Sequence, residues 1–173
     1  RVAEGRVLEA CLGPNADALL SKIDAIHIAA CGTSAHAGQV ARYAFEQIAH
    51  IPCQVELASE FRYRDPLVAP NTLFITISQS GETADTLEAL RHVRKTGQLA
   101  ASLVICNAPE SSLVRESDIA LMTHAGPERS VASTKAFTTQ LMALSLIVLL
   151  IARRRGAIDA AKEAELIAAL QAV

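Results

Sequence analysis

The 173-residue sequence has no excess of basic residues: 16 Lys and Arg stand against 18 Asp and Glu, for a formal net charge of −2 and a pI near 6.2. That balance excludes the electrostatic footprint of non-specific nucleic-acid or membrane-surface binding, so an anionic ligand has to be held by local geometry. No CxxC pair is present. The four cysteines, Cys11, Cys31, Cys53 and Cys106, are scattered, and three lie in apolar, strand-like surroundings. They read as buried thiols in a reducing cytosol, not as metal ligands or disulfide partners. No secretory signal opens the chain. The longest apolar stretch, Leu141 to Ala152, has about 12 residues, short of the roughly 18 or more that span a bilayer. A cytoplasmic protein with no membrane segment is expected. Internal repeats and low-complexity segments are missing too. The chain opens on Arg1 in place of methionine, which reads as a piece of something longer.

Half of the residues, 51%, are apolar, enough to build one ordinary core without disulfide or metal staples. Residues 1–173 read as one domain: a leading helix over 1–22, broken around Gly13-Pro14, an α/β core over 23–155, and a C-terminal helix or linker over 156–173. Five β-leaning runs alternate with helical patterns: Asp24 to Ala30, Cys53 to Leu57, Thr72 to Ser78, Leu99 to Ile105 and Asp118 to Thr123. Such alternation specifies a parallel sheet covered by helices on both faces, a three-layer αβα sandwich. Four runs are almost continuously apolar, as strands buried on both faces must be. Cys53-Gln54-Val55-Glu56-Leu57 alternates, which makes the second strand an edge. The expected sheet order is 2-1-3-4-5, flavodoxin-like.

Ala37, Val40, Ala41, Ala44, Phe45 and Ile48 share one helix face between the first two strands, and Ala84, Leu87, Leu90 and Val93 form a narrower face after the third. Gly97 stands where a helix C-cap favours glycine. From Ser133 to Arg155 the pattern is apolar nearly all round, which predicts a helix that is central or lies in an interface between copies or domains. Arg153, Arg154 and Arg155 suit the negative end of its dipole, before Gly156.

In a doubly wound sheet, ligands bind beyond the carboxyl ends of the strands, where the strand order reverses. The order 2-1-3-4-5 puts that point between strands one and three, so the lining loops are Cys31-Gly32-Thr33-Ser34 and Ser78-Gln79-Ser80-Gly81-Glu82-Thr83. Both are rich in small hydroxyl residues. In the second, three hydroxyls surround Gly81 and a helix begins at about Glu82, whose free N–H groups and dipole attract an anion. With no lysine or arginine in the loop, this is a neutral phosphate cradle, unlike a P-loop. Caps and turns alone account for such hydroxyls singly, but not for two loops placed at the switch point. Val131-Ala132-Ser133-Thr134-Lys135 is placed to close the pocket. There Ser133 either donates to a sugar hydroxyl or caps the apolar helix.

At these residues the chain resembles a known family. CGTS at Cys31, ASEFRYR from Ala58, SQSGETADT from Ser78, RESD from Arg115 and VASTKAFT from Val131 resemble the first sugar-isomerase (SIS) domain of the glutamine–fructose-6-phosphate aminotransferases, the glucosamine-6-phosphate synthases. The likeness covers about residues 25 to 152. It implies that Ser78, Gln79, Ser80 and Thr83 hold a phosphate, and that Thr33, Ser34, Val131 and Ser133 line a sugar site. It further implies fructose 6-phosphate and glucosamine 6-phosphate as ligands, a glutaminase domain and a second SIS domain elsewhere in the full-length chain, and a homodimer. No cofactor or metal is implied. Ala35, after CGTS, and Arg129-Ser130, before VAST, depart from the family pattern and are expected to alter the pocket rim.

Shifting a proton between C1 and C2 needs a base within hydrogen-bond reach. The resemblance implies that the family's lysine, glutamate and ring-opening histidine come from the second SIS domain, its tail and a neighbouring subunit, so no catalytic residue is assigned within this chain, and Glu82, Glu60, His36 and Lys135 are its candidate bases. Glu82 has a sufficient structural reason, since a carboxylate at a helix N-terminus contributes about 0.3 to 1 kcal/mol. His36 faces either pocket or solvent. Lys135 either neutralises charge or caps a carbonyl, and Glu60 is expected to pair with Arg62 or Arg64. A regulatory sugar-phosphate sensor and a stand-alone aldose-ketose isomerase are the competing readings.

Overall fold

The computed structural model describes residues 1–95, 97, 99–128 and 133–172. Five parallel strands form the sheet: β1 (Ala25–Ala30), β2 (Cys53–Leu57), β3 (Thr72–Ser78), β4 (Leu99–Cys106) and β5 (Ile119–Met122). Their order is 2-1-3-4-5, as the alternation of β2 predicts. All seven residues of β3 are buried, as are five of the six in β1, because both faces are covered. β5 is the other edge, and there every second residue is only half-buried.

Successive side chains of a strand point to opposite faces, and the two cores follow that parity. Ile26, Ile28 and Ala30 join one core with Ile75, Ile77 and Leu103, roofed by α2 (Gly32–Gln47), α6 (Lys135–Arg154) and α7 (Ala160–Gln171). Ala29, Phe74, Val104 and Cys106 face the other, covered by α3 (Ala58–Phe61), α4 (Ala84–Lys95) and α5 (Ser112–Glu116).

Several local expectations give way to packing. The face that α2 buries is Ser34, Ala35, Ala37, Gly38, Ala41 and Phe45, while Val40 is 55% exposed. The small residues let the helix lie close to the sheet: a Cβ on Gly38 would meet Ile28 at 3.0 Å and Val55 at 3.1 Å. Ala35 is therefore core, not pocket rim. On α4 the buried face is Thr86, Ala89, Leu90 and Val93, with Ala84 exposed.

Residues 1–22 are not a leading helix. Glu4 and Gly5 both take positive φ, reversing the chain into a two-residue antiparallel hairpin that pairs Val2 with Val7. A 3₁₀ turn over Glu9–Leu12 and the short helix α1 (Ala16–Leu20) follow. Cys11 and Cys31 are half-buried, whereas Cys53 and Cys106 are buried, and all four are free thiols. Desolvation pushes the Cys53 thiol up to about 12.

Helix α6 is 20 residues long and, by length and apolar composition, would cross a membrane, although its longest unbroken apolar run is shorter. It lies instead in the core: Ala143, Leu144, Ile147, Val148, Leu150 and Ile151 are all buried. Most of its apolar circumference is thus consumed within the fold, while Met142 is exposed. At its far end Arg153, Arg154 and Arg155 bond to the first 50 residues and to α7. Residues 156–172 hold a true helix, α7, capped by Asp159, whose carboxylate accepts the Lys162 N–H at 2.8 Å.

Candidate functional site

The register of the strands brings their carboxyl ends to one rim: Ala30 lies opposite Ile77, and Ser78 opposite Cys106. The loops after β1 and β3 therefore meet. Between them is a cavity of ≈ 250 Å³ lined by Cys31, Ser34, Ile77, Ser78, Gln79, Ser80, Thr83, Glu128 and Ser133. Larger hollows of ≈ 390 and ≈ 610 Å³ occur elsewhere. The first is walled by the already paired Glu9, Asp17 and Arg154, and the second lies at the amino ends of β1, β2 and β3, away from the switch point. Only the smallest of the three stands where the topology calls for a ligand.

The serine loop is held by its own hydroxyls. Ser78 Oγ accepts the Gly81 N–H at 2.9 Å and lies 3.2 Å from Thr83 Oγ1, and Ser80 Oγ accepts the Glu82 N–H at 3.2 Å. Helix α4 starts at Ala84, two residues later than the pattern predicts, with the Thr83 carbonyl accepting from Leu87 N–H. Its first-turn N–H groups have no intrahelical acceptor and open at the loop. Gly81 takes φ +68°, but its missing side chain faces away from the cavity: a Cβ there would stand 2.0 Å from Ser111 Oγ and 2.8 Å from Cys106 Sγ. The glycine thus docks the loop onto β4 and α5; it does not thin the wall for an anion.

Glu82 proves to be the cap of a different helix. Its Oε1 accepts the Ser112 N–H at 2.7 Å, at the start of α5, and that backbone bond holds its carboxyl below the usual glutamate range. Glu60 makes neither expected ion pair, because Arg62 bonds to Asp85 and Arg64 to Glu56. His36 and Lys135 are exposed and do not line the cavity.

Ser78, Gln79, Ser80, Thr83, Ser34 and Ser133 all meet at the cavity. Thr33 does not line it and lies exposed on the first turn of α2. Val131 falls outside the described residues, as do Arg129 and Ser130. Thr134, not Ser133, is at the N-cap position of α6, and the Ser133 hydroxyl is buried without a partner among the described residues. That separates its two possible roles: it does not cap the helix, and it is free to meet something in the cavity.

Sequence reasoning missed two polar groups. Glu128 lines the cavity, and its Oε2 accepts from the Thr134 and Ala136 N–H groups, at 3.4 Å each. An acidic residue just ahead of a helix start was the available signal. Gln140, 1% exposed on the inner face of α6, donates from Nε2 to Ser34 Oγ at 3.0 Å. A lone amide in an apolar helix face was the available signal there.

Known proteins carry the same pattern. The chain is 58% identical over all 173 residues to the glutamine–fructose-6-phosphate aminotransferase (isomerizing) of Escherichia coli, and 57% identical over 171 residues to that of Pseudomonas putida. It spans 28% of the length of either. A solved C-terminal domain of glucosamine-fructose-6-phosphate aminotransferase from Francisella tularensis superposes with a TM-score of 0.95 at 50% identity, over 98% of this chain and 47% of that one. A putative phosphosugar isomerase from Silicibacter pomeroyi follows at a TM-score of 0.70 and 27% identity, over 80% of this chain and 42% of that one. The family model described as SIS domain matches residues 19–150, from α1 through most of α6, so the chain belongs to the SIS domain family and is homologous to the sugar-isomerase part of these aminotransferases.

Proposed function

We propose that the cavity binds fructose 6-phosphate and glucosamine 6-phosphate, and that the chain serves as the first sugar-isomerase domain of a cytoplasmic, homodimeric glucosamine-6-phosphate synthase. In this reading the loop hydroxyls of Ser78, Ser80 and Thr83, the Gln79 side chain and the first turn of α4 hold the phosphate. Ser34 and Ser133 meet the sugar, together with Val131 and Thr33 from the family pattern. The observation that carries the reading is the buried Ser133 hydroxyl, unpartnered among the described residues, facing the serine loop across the cavity. A buried hydroxyl without a partner costs about 1 to 3 kcal/mol, and a polyhydroxylated ligand supplies the missing bond. No cation lines the cavity among the described residues, so the phosphate is held by hydrogen bonds and a helix dipole, which favours release of product.

The chain contributes binding and orientation. The groups that move protons and deliver ammonia belong to the rest of the synthase, its glutaminase and second sugar-isomerase domains. Titration calorimetry of the intact polypeptide against fructose 6-phosphate, glucosamine 6-phosphate and inorganic phosphate tests the reading. Both sugar phosphates should bind more tightly than phosphate alone, and an absence of binding at millimolar ligand would falsify it.

A further inference from the structure

The structure assigns Gln140 as a positioning residue that turns the Ser34 hydroxyl into a hydrogen-bond donor aimed at an oxygen of the sugar, so that the cavity prefers a sugar phosphate to bare phosphate. This rests on the sugar-phosphate reading of the cavity and deepens it.

Gln140 stands among Ala136, Ala143, Leu144 and Ile147 on the buried side of α6, a place where leucine would fit. Burying an amide there is unfavourable unless both of its ends are bonded. Only one is: Nε2 donates to Ser34 Oγ, while Oε1 has no partner among the described residues. Stability therefore does not explain the residue. Its effect on Ser34 does. A hydroxyl carries one proton and two lone pairs. The amide occupies a lone pair from behind, and the Ser34 hydroxyl, 8% exposed at the cavity wall, donates to no acceptor among the described residues. Its proton is left for whatever enters. Phosphate seated on the Ser78 to Thr83 loop is already provided with donors, so the acceptor that Ser34 lacks is a hydroxyl or carbonyl oxygen farther along the ligand. The tie also joins the start of α2 to α6 across 106 residues of sequence, fixing Ser34 on the same side of the cavity as the start of α6.

Three variants of the intact polypeptide test this: Gln140→Leu, Ser34→Ala and the pair together. Calorimetry gives the affinity of each for fructose 6-phosphate and for inorganic phosphate, and thermal melting gives its stability. Gln140→Leu should weaken fructose 6-phosphate about tenfold, leave phosphate within about twofold, and melt no lower than the wild type. The double variant should lose no more than Ser34→Ala alone, since the two residues act through one hydroxyl. Gln140→Glu provides a second view: it fills the same space but takes the Ser34 proton, so it should match the Leu variant in selectivity. The assignment fails if selectivity is unchanged in Gln140→Leu, if the two losses add in full, or if both ligands weaken together with a lower melting temperature, the mark of a purely structural role. A wild type that does not distinguish sugar phosphate from phosphate overturns the functional reading as well, whereas a discriminating wild type with an indifferent Gln140→Leu overturns this assignment alone.

Discussion

Helix α6 begins beside the cavity and ends in a cluster of charges, and its two ends are furnished in opposite ways. On the cavity side of its start, hydroxyls and an amide stand beside the Glu128 carboxylate, and two of the neutral groups, Ser133 Oγ and Gln140 Oε1, are buried without partners among the described residues. At the finish, Arg153 bonds to Glu9 at 2.9 Å and to Glu163 at 2.8 Å, and Arg154 bonds to Glu9 at 2.8 Å and to Asp17. Arg153 and Arg154 each meet carboxylates there, Arg155 donates to the Ile23 and His50 carbonyls, and the N-terminal hairpin and α7 are tied down as a result. The cavity end leaves neutral polar groups that a ligand can complete. The charged end is closed by ion pairs, with Glu163 Oε2 also buried there without a partner among the described residues.

The strongest way to break this contrast is to damage the closed end. Glu163 is fully buried, and Arg153→Met would leave its carboxylate without a counter-charge, at a cost of about 3 to 5 kcal/mol. Urea denaturation should register that loss while the folded fraction keeps its wild-type affinity for phosphate. A parallel fall in affinity would mean that the two ends are not independent. Next in size is Gly81→Ala, which combines a positive φ with a collision against Ser111. We expect about 2 to 4 kcal/mol of destabilisation together with loss of phosphate binding, seen in the same melts and titrations.

Ser78→Ala sharpens the contrast more gently. It removes the acceptor of the Gly81 N–H and the neighbour of Thr83, and should weaken phosphate about tenfold, or about 1.4 kcal/mol. Thr33→Ala, whose proposed contact is with the sugar and not the phosphate, should stay within about twofold in the same phosphate titration. Smallest is a pH effect at Glu82. Its carboxyl is held below its ordinary value of 4.5 by the Ser112 N–H, so the ionised form favours the fold. That contribution is complete above the ordinary value and disappears as pH falls through the depressed one. The melting difference between wild type and Glu82→Gln should shrink as pH falls below the ordinary carboxyl value; a constant difference would sink the capping role.

The sheet was legible because burial on both faces dictates composition: the continuous apolar runs of β1, β3 and β4 and the alternation of β2 carry the strand order, and the order carries the place of the cavity. Partnerships were less legible. Arg62 and Arg64 choose Asp85 and Glu56 over the adjacent Glu60 because the fold, not chain proximity, decides which carboxylates come near. Val40 fits a helical face by spacing, yet the strand beneath α2 accepts Gly38 and Ala41 in its stead. The hairpin at residues 2–7 rests on two positive-φ residues, a turn too short to carry a periodic pattern. Gln140 escaped notice for a related reason, since its value lies in a contact 106 residues away.

The way Gly81 nests against Ser111 and Cys106 bears on how this loop can vary. Alanine at 81 becomes admissible only if position 111 shrinks to glycine and the thiol of Cys106 yields. Positions 81, 106 and 111 thus constitute one heritable unit. In a randomised library selected for phosphate binding, surviving clones should show correlated changes among these three positions, although neither 106 nor 111 lines the cavity.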